Sequence, residues 1–361
     1  MLIGVPKEIK NHEYRVAMTP DGVRALVAAG HSVRVQAGAG AAIGFADAAY
    51  REAGAEIADS AAEVWRAGLV VKVKEPQASE APLLQTGQLL FCYLHLAAEA
   101  KLAKTLIEKN VTAIGYETVT EAGGGFPLLR PMSEIAGRMA PQMGALGLML
   151  PYGGNGTLVA GVPGVWPARI TVIGGGSVGM NAVRAAVGLG AQVRLLDRSA
   201  EKLRHAEELY GARCETAFAT DGEVARAARE ADIVIGAAMV AGRRAPHILT
   251  RAHLRAMRPG SVLVDVSIDQ GGIAETSRPT THSEPFYLEE GIVHYCVSNM
   301  PGAVARTATL ALTQATLPFV MALANRGIDA AAEDPHLGKG LQIQGGKIVY
   351  PGLAEDIEKP H

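Results

Sequence analysis

Four polar residues stand where a plain α/β scaffold would not need them. Lys74 closes the run Val70-Val71-Lys72-Val73-Lys74-Glu75-Pro76, an apolar strand that Pro76 ends. Strand alternation puts Lys72 and Lys74 on one face. An ammonium at the C-terminal end of a parallel strand faces the crevice where such sheets hold ligands, and a solvated edge lysine is its plain alternative. His95 ends the run Phe91-Cys92-Tyr93-Leu94-His95. An imidazole titrates near neutrality and suits general acid–base work; a hydrogen-bonded core histidine is the alternative. Arg15 follows the polar stretch Lys10-Asn11-His12-Glu13-Tyr14. Its guanidinium fork matches a carboxylate bidentately, although a surface arginine reads the same way. Asp269 sits where the strand Val264-Asp265-Val266 runs into the loop Ser267-Ile268-Asp269-Gln270-Gly271-Gly272. It either meets a ligand at the strand end or caps a turn, and Asp265 has equal standing as a structural carboxylate.

Alternating strands and helices must position these groups, and one stretch is explicit. Residues 168–199 read ARITVIGGGSVGMNAVRAAVGLGAQVRLLDRS. A β-branched run (Ile170, Val172, Ile173) precedes the turn Gly174-Gly175-Gly176-Ser177-Val178-Gly179. A small-residue helical pattern then runs from Ala182 to Leu189, Gly190 stops it, and a second apolar run, Val193 to Leu196, ends in Asp197. In this G-x-G-x-x-G, Gly174 permits the tight turn, Gly176 lets backbone approach a pyrophosphate, and Gly179 lets helix and strand pack closely. The pyrophosphate belongs at the helix N-terminus, where unpaired N–H groups and the dipole favour an anion. Asp197 lies 18 residues after Gly179, near the spacing of about 20 expected for the carboxylate on an adenosine ribose. It would repel the 2′-phosphate of NADP, so NAD is the expected cofactor, with Arg198 the neighbour that pulls the other way. A glycine turn made for packing alone is the alternative.

The chain has 361 residues, enough for about two domains, with 48% hydrophobic and 19% charged residues. A net charge of −2 without a basic run gives no sign of a nucleic-acid or anionic-membrane partner. No window holds 18 uninterrupted apolar residues, and the start MLIGVPKEIKNHEYR lacks signal-peptide character, so a cytoplasmic protein without a membrane span is expected. Cys92, Cys214 and Cys296 are scattered and odd in number, which suits buried thiols in a reducing compartment.

Before the glycine turn, strands are expected at Leu2–Val5, Val33–Gln36, Leu69–Val73, Leu89–Leu94 and Thr112–Gly115, with helices between them. This βα alternation implies a parallel sheet. The run Gly123-Gly124-Gly125 marks a domain boundary, and the small residues of 132–150 suggest a close-packed connecting helix. Beyond Asp197, helices at Glu201–Tyr210 and Asp221–Glu230 and strands at Ile233–Gly236, Val262–Val266 and Ile292–Val297 complete one doubly wound domain over 127–307. Pro318 is expected to interrupt a helical run, Ala308 to Asn325, that returns to the first domain, and Leu341–Pro351 to form a hairpin about Gly345-Gly346. Neither metal-ligand spacing nor a nucleophile elbow stands out.

Taken together, GVPKEIKNHEYRVAMTP (4–20), VKVKEP (71–76), LHLA (94–97), YETV (116–119), PMSEIAGRMA (131–140), VIGGGSVGMNA (172–182), VDVSIDQGG (264–272), SRPTTH (277–282) and VSNMPGAV (297–304) resemble the alanine dehydrogenase family across essentially the whole chain. The resemblance implies an α/β fold of two doubly wound domains, a Rossmann NAD-binding domain (127–307) inserted into a discontinuous catalytic domain (1–126 plus 308–361). It further implies a homohexamer that converts L-alanine, water and NAD⁺ reversibly to pyruvate, ammonium and NADH. On the family pattern, Arg15 holds the substrate carboxylate, Lys74 binds and polarises the carbonyl, His95 carries protons, and Asp269 is the catalytic carboxylate beside it. Ser133, Gly174, Gly176, Ser177, Val178, Gly179, Asp197, Lys202, Ser267, Ile268, Asp269, Arg278, Val297, Asn299 and Met300 match its cofactor contacts. Some relatives carry a divalent ion near the last long helix; Asn325 and Arg326 make that region unpromising, and no required metal is expected. The NAD-binding component of a nicotinamide nucleotide transhydrogenase is the alternative enzyme, and a catalytically silent NAD sensor the alternative of another class.

Overall fold

In a computed structural model, which describes residues 1–238, 245–351 and 353, the chain divides into two compact units: Met1–Met132 with Gly302–His361, and Ser133–Pro301. Residues 127–132 and 302–307, assigned by sequence to the nucleotide domain, thus belong to the first unit, and the last eight residues of the expected catalytic segment lie outside the described residues. The first unit opens with six parallel strands, β1 (Leu2–Val5), β2 (Ser32–Gln36), β3 (Glu56–Ala58), β4 (Leu69–Val71), β5 (Leu89–Cys92) and β6 (Thr112–Gly115). Strands buried on both faces need continuous apolar runs, and Leu89-Leu90-Phe91-Cys92 is buried at every position. β4 ends at Val71, two residues short of the apolar reading: the Lys72 N–H and the Val73 carbonyl still bond to the backbone of the β5 segment, but the Val73 N–H donates to the Glu8 carboxylate at 2.7 Å instead of to a strand.

The second unit contains β7 (Arg169–Ile173), β8 (Gln192–Asp197), β9 (Cys214–Phe218), β10 (Ile233–Gly236), β11 (Val262–Asp265), β12 (Phe286–Glu289) and β13 (Ile292–Tyr295). They form one sheet in the order β12-β13-β11-β10-β7-β8-β9, parallel except for the edge strand β12. The long helix Arg130–Gly147 packs against it through its small residues. A Cβ on Gly137 would lie 2.2 Å from the Val178 carbonyl oxygen, and one on Gly144 would lie 2.8 Å from Ile233.

The chain then returns to the first unit through helix Ala305–Arg326. This helix is long and apolar enough to cross a membrane by length and composition. Its stripe Ala305, Ala308, Thr309, Leu312, Thr313, Thr316, Val320 and Leu323 is buried in the core at the i, i+3, i+4 spacing of a packed helix. Pro318 does not interrupt it, contrary to the sequence expectation. Pro318 and Gln314, whose carbonyl loses its i+4 donor, both lie on the exposed face, where solvent can take the bond. The expected hairpin follows as β14 (Leu341–Gln344) and β15 (Lys347–Ile348), with Gly345 and Gly346 at positive φ. β14 runs antiparallel to β6, giving the sheet order β15-β14-β6-β5-β4-β1-β2-β3.

In both sheets the winding direction reverses beside the first strand of the unit, between β1 and β4 and between β7 and β10. Ligands of doubly wound sheets bind beyond the C-terminal ends of strands at this switch point. The glycine turn follows β7 directly.

Gly179 tolerates no side chain, since its Cβ would lie 1.7 Å from the Gly174 carbonyl oxygen, whereas a Cβ on Gly176 meets nothing within 4 Å. Gly179→Ala is therefore expected to destabilise the protein by about 1–3 kcal/mol, read as a lower urea or thermal midpoint. Gly176→Ala should unfold with the wild type.

Candidate active site

The segment after β1 carries Arg15, which is 2% exposed. A buried guanidinium demands a charged partner, and Glu13 provides it. Glu13 Oε1 accepts from Arg15 Nε at 2.7 Å, and Oε2 accepts from Nη2 at 2.5 Å. Burial alone would raise the Glu13 carboxyl, but the hydrogen bonds and charge of Arg15 hold it below its ordinary value. Burial likewise opposes the charge on Arg15, and Glu13 outweighs it. Nη1 reaches Met132 Sδ at 3.1 Å. Backbone on the far side is fixed as well: the Val16 N–H donates to Thr309 Oγ1, and the Tyr50 hydroxyl donates to the Met18 carbonyl.

Lys74 follows β4 and is half-buried. Burial first, and the positive charge of Arg15 second, push its ammonium below the ordinary lysine value. Its Nζ lies 6.0 Å from the centroid of the Tyr93 ring. Tyr93 is anchored through its hydroxyl, which donates to the Leu128 carbonyl at 2.6 Å. The His95 imidazole stacks near-parallel on the same ring, with centroids 6.0 Å apart and planes 14° apart. Arg15, Lys74 and His95 thus share one unit, with Tyr93 as the floor between lysine and histidine. Lys72 has a different fate. It is fully buried between Glu8 (3.1 Å) and Glu80 (2.9 Å), and their charges hold it above its ordinary value against burial.

Asp269 belongs to the other unit and is exposed on the short turn Ile268–Gln270 after β11. Asp265 is the structural carboxylate of that strand. It is fully buried and accepts from the Ser267 and Ile273 N–H groups and from Ser277 Oγ. Ser267 Oγ donates to the Ala238 carbonyl at 2.8 Å, and Ile268 is buried.

The glycine turn suits a dinucleotide. Gly174 has φ 106° and abuts the Ala237 carbonyl, the space over Gly176 is open, and helix Ser177–Gly188 starts without a side-chain cap. Val178 and Gly179 form its first turn, so their N–H groups belong to the uncapped set of a helix start. Asp197 Oδ2 accepts from the Gly175 N–H at 2.6 Å, Oδ1 accepts from the Ser199 N–H at 2.8 Å, and Lys202 Nζ lies 3.5 Å away. These contacts overcome burial and keep the carboxyl below its ordinary value. Among the other sequence candidates, Ser133 lies in the first turn of helix Arg130–Gly147, and Arg278 stacks over the Tyr287 ring at 4.0 Å. Val297 is buried, Met300 is buried at the start of a short turn, and Asn299 has φ 62° with its carbonyl accepting from His282 Nε2.

Sequence reasoning passed over Glu13, Tyr93 and Glu117. The first two stand two residues before Arg15 and His95, the i, i+2 spacing that shares a face of extended chain. Among the described residues no three His, Cys, Asp or Glu side chains are grouped to hold a metal ion, and Cys92, Cys214 and Cys296 are buried free thiols.

Residues 4–136 match the family described as alanine dehydrogenase/PNT, N-terminal domain, and residues 140–351 match its C-terminal domain. The alanine dehydrogenase of Halomonas elongata is 57% identical over 357 residues, covering 98% of this chain and 96% of that protein. The alanine dehydrogenase of Bacillus subtilis is 50% identical, covering 99% and 95%. A solved L-alanine dehydrogenase superposes with a TM-score of 0.97 at 49% identity, covering 99% of both chains. The transhydrogenase from Sinorhizobium meliloti is more distant, with a TM-score of 0.83 at 25% identity over 97% of this chain and 99% of its own. Spanning both domain families and nearly the full length of these relatives, the chain belongs to the alanine dehydrogenase/PNT family.

Proposed function

We propose that the chain catalyses the reversible, NAD-dependent oxidative deamination of L-alanine to pyruvate and ammonium. The observation that carries this reading is the pairing of two cations, buried Arg15 and half-buried Lys74, beside an imidazole stacked on Tyr93. Such a set can hold a small carboxylate and move a proton next to it. Relatives named alanine dehydrogenase at up to 57% identity support it.

NAD, when bound, supplies the acceptor for the hydride on Cα of alanine. Glu13 occupies the Nε–Nη2 edge of Arg15 and fixes the guanidinium plane, so the fork meets the substrate carboxylate already oriented. Lys74 takes the same carboxylate and polarises the carbonyl oxygen of pyruvate in the amination direction. His95 takes a proton from the water that attacks the iminium carbon, then returns a proton to the nitrogen that leaves as ammonium. Asp269 balances the positive charge on that nitrogen. In the nucleotide unit, Asp197 keeps a negative charge where an adenosine ribose belongs, which favours NAD over NADP. Ser133, Gly174, Gly176, Ser177, Val178, Gly179, Lys202, Ser267, Ile268, Arg278, Val297, Asn299 and Met300 complete the proposed cofactor contacts. A cytoplasmic homohexamer is the form that the family resemblance supports.

NADH absorbance followed with pyruvate and ammonium tests the reading. Oxidation is expected only when both are present, and NADPH should serve poorly. Silence with pyruvate despite tight NADH binding would overturn it in favour of a transhydrogenase-like or sensor role. Gly176→Ala, although stable, should bind NADH more weakly, because its methyl fills the space the pyrophosphate needs. Wild-type affinity would remove Gly176 from the cofactor site.

His95→Ala and Asp269→Ala are expected to lose turnover, by about 10²–10⁴-fold for the histidine, while retaining NADH affinity. Normal turnover in either variant would cancel its role. Arg15→Lys keeps a cation beside Glu13 and should chiefly raise the KM for pyruvate; an unchanged KM would take Arg15 out of the carboxylate site.

The lowered Lys74 sets a pH dependence. Its charged form binds the carboxylate, so affinity is lost as pH rises through its depressed pKa. Oxamate, a non-reacting analogue of pyruvate, should bind the enzyme–NADH complex with an alkaline midpoint below the ordinary lysine value of about 10.4. Lys74→Arg should lose that midpoint, and an identical pH profile in the variant would exclude Lys74 as its source.

A further inference from the structure

Against the backbone of His95 lies a polar cluster that the reaction as proposed does not use. His95 has φ 49°, in the left-handed region that a residue with a Cβ enters only at a cost. The two N–H groups that this turn presents in succession, those of Leu94 and His95, both donate to the carboxylate of Glu117. The Leu94 N–H lies 3.2 Å from each oxygen, and the His95 N–H lies 2.9 Å from Oε1. Successive N–H groups around a left-handed residue form a concavity for an anion. Here the chain supplies the anion itself, from the turn that follows the neighbouring strand β6.

Glu117 is in turn held from the far end of the sequence. Gln342, buried on β14, donates its Nε2 to Glu117 Oε1 at 3.1 Å and to Thr118 Oγ1 at 3.3 Å. Its approach depends on Gly115, where a Cβ would fall 2.1 Å from the same nitrogen. The register is fixed beside it, the Gly115 N–H donating to the Gly340 carbonyl at 2.7 Å.

We infer that Glu117 is a positioning residue for His95, and that the returning strand β14 sets it in place through Gln342. The carboxylate pins the strained turn, Tyr93 limits the imidazole from one face, and the ring is thereby presented in a single orientation. This inference rests on His95 being the proton carrier of the proposed reaction.

Glu117→Gln tests it. One carboxylate oxygen becomes an NH₂ group that cannot accept: with the remaining oxygen in the Oε1 place, the Leu94 N–H loses its Oε2 partner and the negative charge facing both N–H groups is removed, while size and shape are kept. The kcat for pyruvate amination should fall about 10²-fold, the effect of misplacing a reacting group by about 1 Å. KM for pyruvate and the Kd for NADH should stay within twofold of wild type, because Arg15, Lys74 and the nucleotide unit are untouched. Amide hydrogen exchange in the peptide spanning 93–97 should speed up in parallel. Glu117→Asp, which keeps the charge, should recover part of the rate, and Gln342→Met should show the same pattern more weakly. A wild-type kcat in Glu117→Gln overturns the inference. So does a loss in which kcat, pyruvate KM, NADH affinity and unfolding midpoint all worsen together, since that marks general damage. If the wild type itself shows no alanine dehydrogenase turnover, the functional reading has failed separately. Hydrogen exchange then decides the positioning claim alone, unchanged protection at 93–97 in the variant overturning it.

Discussion

A guanidinium sealed from water has to be neutralised where it stands, and much of the first unit follows from doing so for Arg15. Glu13 pairs with it two residues away, so the loop between β1 and the next helix cannot relax without separating two buried charges, a change worth about 3–5 kcal/mol in other proteins. The same loop is tied through Val16 to Thr309 and through Met18 to Tyr50. The cation is therefore fixed by a carboxylate on one side and by the core helix Ala305–Arg326 on the other. A second buried charge cluster lies nearby, with Lys72 between Glu8 and Glu80 and the Val73 N–H bound to Glu8. It fixes the backbone that leads into Lys74. Two lysines two residues apart thus divide the work, one held inside the scaffold and the other left half-exposed with a weakened hold on its proton.

The nucleotide unit uses a carboxylate differently. Asp197 accepts from the Gly175 N–H and so ties the end of β8 to the glycine turn that follows β7. A residue expected only to meet a ribose also closes the loop that would receive the pyrophosphate. Asp265 does comparable work after β11, gathering Ser267, Ile273 and Ser277 around itself so that Asp269 stands out on the turn beyond.

Local chemistry explains which parts of this arrangement can be read from the residues alone. The glycine spacing and the apolar runs of β1, β7 and β10 are written in consecutive residues. The positions of Lys74 and His95 after strands follow from the same runs. β3, β9 and β12 escape notice because they are short or polar and are made strands by their neighbours: Glu56-Ile57-Ala58 pairs only with β2, and Cys214-Glu215-Thr216-Ala217-Phe218 lies at the sheet edge. Pro318 misleads because its effect depends on which side of the helix meets solvent. The burial of Lys72 between Glu8 and Glu80, and the link from Gln342 through Glu117 to His95, join residues far apart in the chain. No local spacing announces them.

The discontinuity of the first unit has a consequence for how the protein is made. A ribosome delivers β1 to β6 first, then all of 133–301, and only afterwards the helix that bears Thr309 and the strand that bears Gln342. During synthesis, β6 waits as an unpaired edge and the Arg15 loop lacks its core helix, while the intervening unit already has every strand of its own sheet. Domains generally fold as units in order of appearance, so here the inserted unit can be complete before the one that precedes it. The first unit is completed last, once the strand that bears Gln342 has been made.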